Sequence, residues 1–172
     1  RTLEPSSERS EFDLQQVGRG GANHKADIRL FDAPDDYEPE VTFYRDQAAW
    51  CPYCEKVWLQ LEEKRIPYKV VKVPLSCYGD KPAFFRSVNP SGSLPVATIK
   101  GRTLSESNDI MNLLEYEFPD NKPLYPTSEA DKQKVAQMLR LERELFGVWF
   151  QWLRSPSFPG LNSLSISFSC MF

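Results

Sequence analysis

Trp50-Cys51-Pro52-Tyr53-Cys54 stands between two segments of different periodicity. Before it, Val41-Thr42-Phe43-Tyr44-Arg45 has the β-branched and aromatic make-up of a short strand. After it, Val57, Trp58 and Leu61, within Glu55 to Lys64, fall at helical spacing. Pro52 suits the first helical position, which places Cys51 at the helix N-terminus. There the unpaired N–H groups and the positive end of the helix dipole favour a thiolate over a thiol. A free thiol has a pKa of about 8.5, and helix N-termini and C-x-x-C settings bring it to roughly 3.5–7.5. Cys54, one turn deeper, is placed to close a disulfide with Cys51. The outline is that of a redox site with a nucleophilic cysteine.

C-x-x-C has other uses. It forms half of many zinc sites, but tetrahedral zinc takes four ligands. The remaining His24, Cys77 and Cys170 are scattered, with no second C-x-x-C and no H-x-x-x-H, so no metal is expected. Nothing in the sequence argues for an iron–sulfur cluster shared between two chains. Two cysteines filling core space is the plainer alternative, buried free cysteine being common.

A chain of 172 residues allows one domain or one and a fraction. Its 41% hydrophobic share suits a globular protein with a sizeable core, and its net charge of −3 gives no electrostatic case for nucleic acid. No apolar run approaches the ~18 residues of a membrane span. Four cysteines, two of them in one C-x-x-C, do not resemble a secreted disulfide framework, so an intracellular, reducing compartment is expected. Residues 1–40 are mostly polar and lack sustained periodicity, which reads as a flexible leader. The Gly18-Arg19-Gly20-Gly21 run within it lacks the flanking strand and helix of a phosphate loop. The leader also reads as the remnant of an organelle-targeting segment, although Glu4, Glu8, Glu11 and Asp13 depart from the acid-poor pattern of transit peptides.

Beyond the first helix, Ile66-Pro67 interrupts the pattern and Tyr68 to Leu75 reads as a second strand, parallel to the first across a right-handed crossover. Lys81 to Val88 forms a short helical patch anchored by Phe84 and Phe85, ended by Asn89-Pro90. Leu94-Pro95 leads into the strand Val96 to Ile99, a position where proline is tolerated and where a cis bond would be informative. Gly101 connects to a fourth strand, Arg102 to Ser105, giving a mixed sheet. Ser107 is the expected N-cap of the next helix, whose apolar face holds Ile110, Leu113, Leu114 and Phe118. Pro119, Pro123 and Pro126 mark a linker over 119–126. Thr127 or Ser128 caps a long helix toward Arg154, with Val135, Met138, Leu139, Leu145, Phe146, Trp149 and Leu153 as its buried stripe. From Ser155 the charge disappears, and apolar and serine residues alternate over 163–170 in an irregular, β-prone tail, read as a truncated or alternatively spliced C-terminus.

In their order, the motifs Cys51-Pro52-Tyr53-Cys54, Lys81-Pro82, Leu94-Pro95-Val96 and Glu106-Ser107 resemble the N-terminal domain of glutathione transferases. C-P-Y-C itself resembles the glutaredoxin site, and the flavour is that of the cysteine-type classes: omega, lambda and dehydroascorbate reductase, plant or algal. The resemblance implies an α/β fold, with a thioredoxin-like (β-α-β-α-β-β-α) domain over 41–118. An incomplete all-helical domain then follows, of which 127–154 is the first helix. It implies glutathione as co-substrate, with Cys51 as nucleophile and Cys54 allowing a dithiol cycle. Pro95, expected cis after Leu94, presents the backbone of Val96 to the cysteinyl part of glutathione. Glu106 pairs with the γ-glutamyl ammonium, Ser107 donates to its carboxylate, and Lys81 lies near the glycyl end.

The function so implied is a glutathione-dependent thiol transferase or reductase acting on a small-molecule or protein disulfide, or reducing a dehydroascorbate-type oxidant. Chloroplast and cytoplasm are the expected compartments, and a homodimer is one arrangement open to it. A shortened helical domain would bind glutathione better than it selects a second substrate. The competing reading is a non-catalytic, truncated glutathione-transferase-like module that binds or dimerises through Phe146, Trp149 and Trp152.

Overall fold

The computed structural model describes residues 18–153. These fall into two compact units, one reaching to Pro123 and one beginning at Leu124. The first is built on a five-stranded sheet of order β1-β3-β2-β4-β5. Its strands are β1 (Ile28–Arg29), β2 (Val41–Asp46), β3 (Tyr68–Val73), β4 (Val96–Ile99) and β5 (Arg102–Leu104). β2 and β3 run parallel over six paired residues, from Val41 opposite Tyr68 to Asp46 opposite Val73, while the other pairs are antiparallel.

A parallel pair needs a crossover, supplied here by α1 (Pro52–Lys64). The helix ends at Arg65, which takes a left-handed conformation, with the Ile66 N–H returning to the Leu61 carbonyl before Pro67. Cys54, Val57 and Leu61 form its buried stripe, and with Phe43, Tyr68, Ala97 and Ile99 they make the main core on one face of the sheet. α3 (Ser107–Glu117) joins that face through Ile110 and Leu114, both fully buried. Polar ties also hold α3 to α1: Gln60 Nε2 donates to the Met111 carbonyl at 3.0 Å, Lys64 Nζ lies 3.0 Å from Glu115, and Lys56 Nζ donates to Asn108 at 2.9 Å. The opposite face is covered by α2 (Ala83–Val88), whose Phe85 packs with Val73 and Val96.

Several expectations need correction. Residues 18–40 are not a free leader: β1 pairs with the outer edge of β3, and Ala26, Leu30 and Phe31 are buried. The anchor is Arg29, whose guanidinium meets Glu62 of α1 through two hydrogen bonds of 2.9 and 2.7 Å, while the Tyr68 hydroxyl donates to the same carboxylate at 2.6 Å. Burial, with the Glu62 charge beside it, pushes the Tyr68 hydroxyl pKa up, so it stays a donor. Gly18 closes this segment: its φ is +78°, and a Cβ there would stand 2.1 Å from the Ile28 carbonyl oxygen. Residues 1–17 and the alternating tail lie outside the described residues. Of the two expected anchors of α2, Phe85 is buried and Phe84 exposed, because neighbouring helical residues point about 100° apart. Ser107 is the first residue of α3 and not its cap; the Glu106 carbonyl already accepts from the Ile110 N–H.

The second unit contains α4 (Glu129–Leu153). Ser128 caps it, its Oγ accepting from the Asp131 N–H at 3.1 Å. The stripe expected to be buried is largely exposed at Met138, Leu139, Leu145 and Trp149. The described part of this unit holds a single helix and so no second surface to cover that stripe. No described helix is long and apolar enough to cross a membrane.

Replacing Arg29 with alanine leaves the Glu62 charge without its main partner. Urea unfolding should show a loss of about 3 kcal/mol, the low end for breaking a buried pair, since Tyr68 still donates.

Candidate functional site

The topology gathers the predicted site residues at one end of the sheet. β2 and β3 finish there, at Asp46 and Val73, and antiparallel β4 begins there, with Val96 opposite Tyr44. β5 also ends there, with Leu104 opposite Ala97, so Glu106 and Ser107 follow from the same edge.

Cys51 is the N-cap of α1, with Pro52 in its first turn. Asp46 builds the turn that leads to it: the Trp50 N–H donates to Asp46 Oδ2 at 2.6 Å and the Ala49 N–H reaches the Asp46 carbonyl. Both cysteines are buried, Cys51 at 5% exposure and Cys54 at 2%. The Cys54 thiol donates to Cys51, and this bond, more than any other influence, lowers the Cys51 pKa from 9.0 to about 7. The backbone N–H groups of Cys54 and Tyr53 act the same way, against burial and the negative charge of Asp46. Cys54 is pushed far up, first by burial and then by its bond to Cys51, so it is the thiol of the pair.

Lys81 is buried, with Nζ donating to the Pro74 carbonyl at 2.5 Å. Burial lowers its pKa, against the attraction of Cys54, Cys51 and Asp46, so its ammonium faces the dithiol electrostatically. The Gly92 turn packs against its stem, where a Cβ would meet Lys81 Cγ at 3.4 Å. The turn leads through Leu94 to a cis Leu94–Pro95 bond and the buried Val96. Ser107 is buried at the start of α3 and Glu106 is exposed beside it. Outside the dithiol, Trp50 and Tyr78 are exposed and meet edge to face, ring centres 5.8 Å apart.

Sequence reasoning missed Asp46. It is fully buried, Oδ1 has no hydrogen-bond partner, and a carboxylate oxygen and both sulfurs lie within 4.8 Å of one another. The available signal was a carboxylate directly after a strand and five residues before Cys51, at the end where ligands gather in such sheets.

A mixed sheet with a crossover helix capped by a buried dithiol defines a thioredoxin-like α/β domain, followed here by a helical unit. A family model described as the glutathione S-transferase N-terminal domain matches residues 50–117. Over these residues the chain is similar to the N-terminal domain of glutathione transferases, and the relatives it matches lie on the cysteine-type side of that family. It is 31% identical to glutathione S-transferase DHAR2 of Arabidopsis thaliana over 105 residues, 61% of this chain and 44% of that one. It is 35% identical over 80 residues to DHAR3, chloroplastic, of the same plant, covering 46% of this chain and 30% of the relative. Among solved structures, glutathione transferase Omega 3C from Trametes versicolor superposes with a TM-score of 0.52 at 30% identity, over 59% of this chain and 42% of that one. The chain thus spans less than half the length of these relatives.

The electrostatics fix two signs. Iodoacetamide labelling of Cys51 against pH should have its midpoint near 7. Cys54→Ala removes the donor and moves the midpoint up toward the ordinary thiol value. Asp46→Asn removes a negative charge that disfavours the thiolate and moves it down.

Proposed function

We propose that this chain is a glutathione-dependent thiol transferase with Cys51 as its nucleophile. The observation that carries this reading is the buried pair of Cys51, at the N-cap of α1, and Cys54, one turn on, a setting that holds the Cys51 pKa down to about 7. The thiolate attacks the glutathione sulfur of a mixed disulfide. A Cys51–glutathione disulfide forms, and the other thiol leaves as a thiolate that takes a proton from solvent. Two routes regenerate the site. A second glutathione thiolate attacks the mixed disulfide and leaves as glutathione disulfide. Alternatively, Cys54 loses its proton and attacks Cys51, releasing glutathione and closing an internal disulfide. Burial and the high Cys54 pKa favour the first route, because a nucleophile must first be ionised.

Glutathione would lie along the sheet end already described. The Val96 backbone would hold its cysteinyl part, with Leu94 and Pro95 shaping the approach. Ser107 and the first turn of α3 would receive its γ-glutamyl carboxylate, a setting suited to anions, and Glu106 would pair with the neighbouring ammonium. Lys81 would serve the glycyl end. A small oxidant of the dehydroascorbate type is the alternative acceptor, in keeping with the DHAR relatives. Chloroplast and cytoplasm both remain proposals, the first suggested by the name of DHAR3.

The exposed apolar face of α4 supports a second reading, a binding or dimerising module without turnover. One assay separates the two: glutathione-coupled reduction of a small mixed disulfide. Cys51→Ser should fall to background and Cys54→Ser should retain turnover. A folded chain with no activity, or one unaffected by Cys51→Ser, would sink the transferase reading.

A further inference from the structure

We propose that Asp46, Cys51 and Cys54 together form a site for a single thiophilic divalent cation of the zinc type, held by the dithiol form of the chain and released by the disulfide form. The three side chains come from the end of β2 and the first turn of α1, and all are buried. One carboxylate oxygen and the two sulfurs already lie within 4.8 Å of one another. Ligand bonds to zinc are about 2.3 Å for sulfur and 2.0–2.2 Å for carboxylate oxygen, so the donors need draw in only slightly around one ion.

The second observation is independent of the sulfurs. Asp46 Oδ1 is sealed from solvent without a hydrogen-bond donor, although the same carboxylate is held in place through Oδ2 by the Trp50 N–H. A buried polar atom left without a partner calls for an explanation, and a missing ion is one. The donor set also selects the ion. Two sulfurs and one carboxylate suit zinc, whereas magnesium and calcium want oxygen ligands throughout. Three protein ligands leave a fourth position for water or an outside thiolate.

Charge is not an obstacle. Two thiolates and a carboxylate carry three negative charges, which a divalent ion and the nearby Lys81 ammonium balance. The expectation of no metal counted cysteines and histidines and lacked this carboxylate.

Binding the ion displaces the remaining thiol protons to solvent. When an outside disulfide oxidises the pair, Cys51 and Cys54 give up two electrons and become joined, and the outside disulfide leaves as two thiolates that take protons from solvent. Both sulfur ligands are then consumed and the ion is released. A bound ion therefore also masks the nucleophile. The site goes beyond the transferase reading and does not depend on it, since the three ligands bind whether or not the chain turns over glutathione.

The test is a titration of the reduced chain with Co2+, then Zn2+, in a phosphine reductant. One Co2+ per chain with sulfur-to-cobalt charge-transfer absorption, displaced by Zn2+, is expected. Cys51→Ser and Cys54→Ser should each lose most of that absorption. Asp46→Asn, which keeps an acceptor for Trp50, should weaken binding about tenfold or more, the least that altering a metal's surroundings costs. The disulfide form should bind no ion at this site. Absence of the absorption, equal affinity in Asp46→Asn, or retention by the disulfide form would each overturn the proposal. Should Asp46→Asn not fold, the two cysteine variants and the two redox states of the unaltered chain still decide it.

Discussion

Two strands that run side by side in the same direction cannot be joined by a tight turn, and that constraint organises the first unit. The chain leaves β2 at Asp46 and must cross one face of the sheet to re-enter at Tyr68. The crossing segment is a helix, so a helix N-terminus necessarily stands at the carboxyl end of β2. Cys51 occupies that point, and Asp46, the last residue of the strand, folds the turn between them. The position of Cys51 therefore follows from the sheet's connectivity. Its chemistry follows from the helix: the second cysteine, one turn on, is carried inward, where burial keeps it protonated and able to donate.

The antiparallel strands complete the arrangement from the other side. β4 and β5 form a hairpin whose register brings Val96 and Leu104 to the same end as Asp46. Lys81 comes from the segment after β3 and is drawn under the site by the Pro74 carbonyl. Four stretches far apart in sequence thus meet at one edge. The ends of strands and the starts of helices are also where backbone polar groups lack partners, so this edge offers donors and acceptors that the sheet itself does not use.

Much of this was legible in the sequence because the signals were local. The strand before Trp50, the helix after Cys54, the parallel return at Tyr68 and the hairpin around Gly101 each rest on composition within a few residues. What escaped depended on distant partners. β1 is two residues long and has no alternation to betray it; it is held by Arg29 on Glu62, a charged pair separated by 33 positions. Polar composition made 18–40 look like a leader, although its charges are used inward. Asp46 escaped because an acidic residue after a strand reads as the start of a loop until its burial is known. The stripe on α4 was legible as apolar, but sequence pattern does not say what covers a face.

The placement of β1 also governs how the sheet meets other chains. By pairing along β3 it occupies backbone groups that would otherwise form an open template, and Arg29 locks it there. The opposite margin is β5, three residues long, where Arg102 and Lys100 both reach Glu117. A short, charged border is a poor surface for another strand to zip onto. Both margins of the sheet are thus very short strands, of two and three residues, which offer another strand little backbone to pair with.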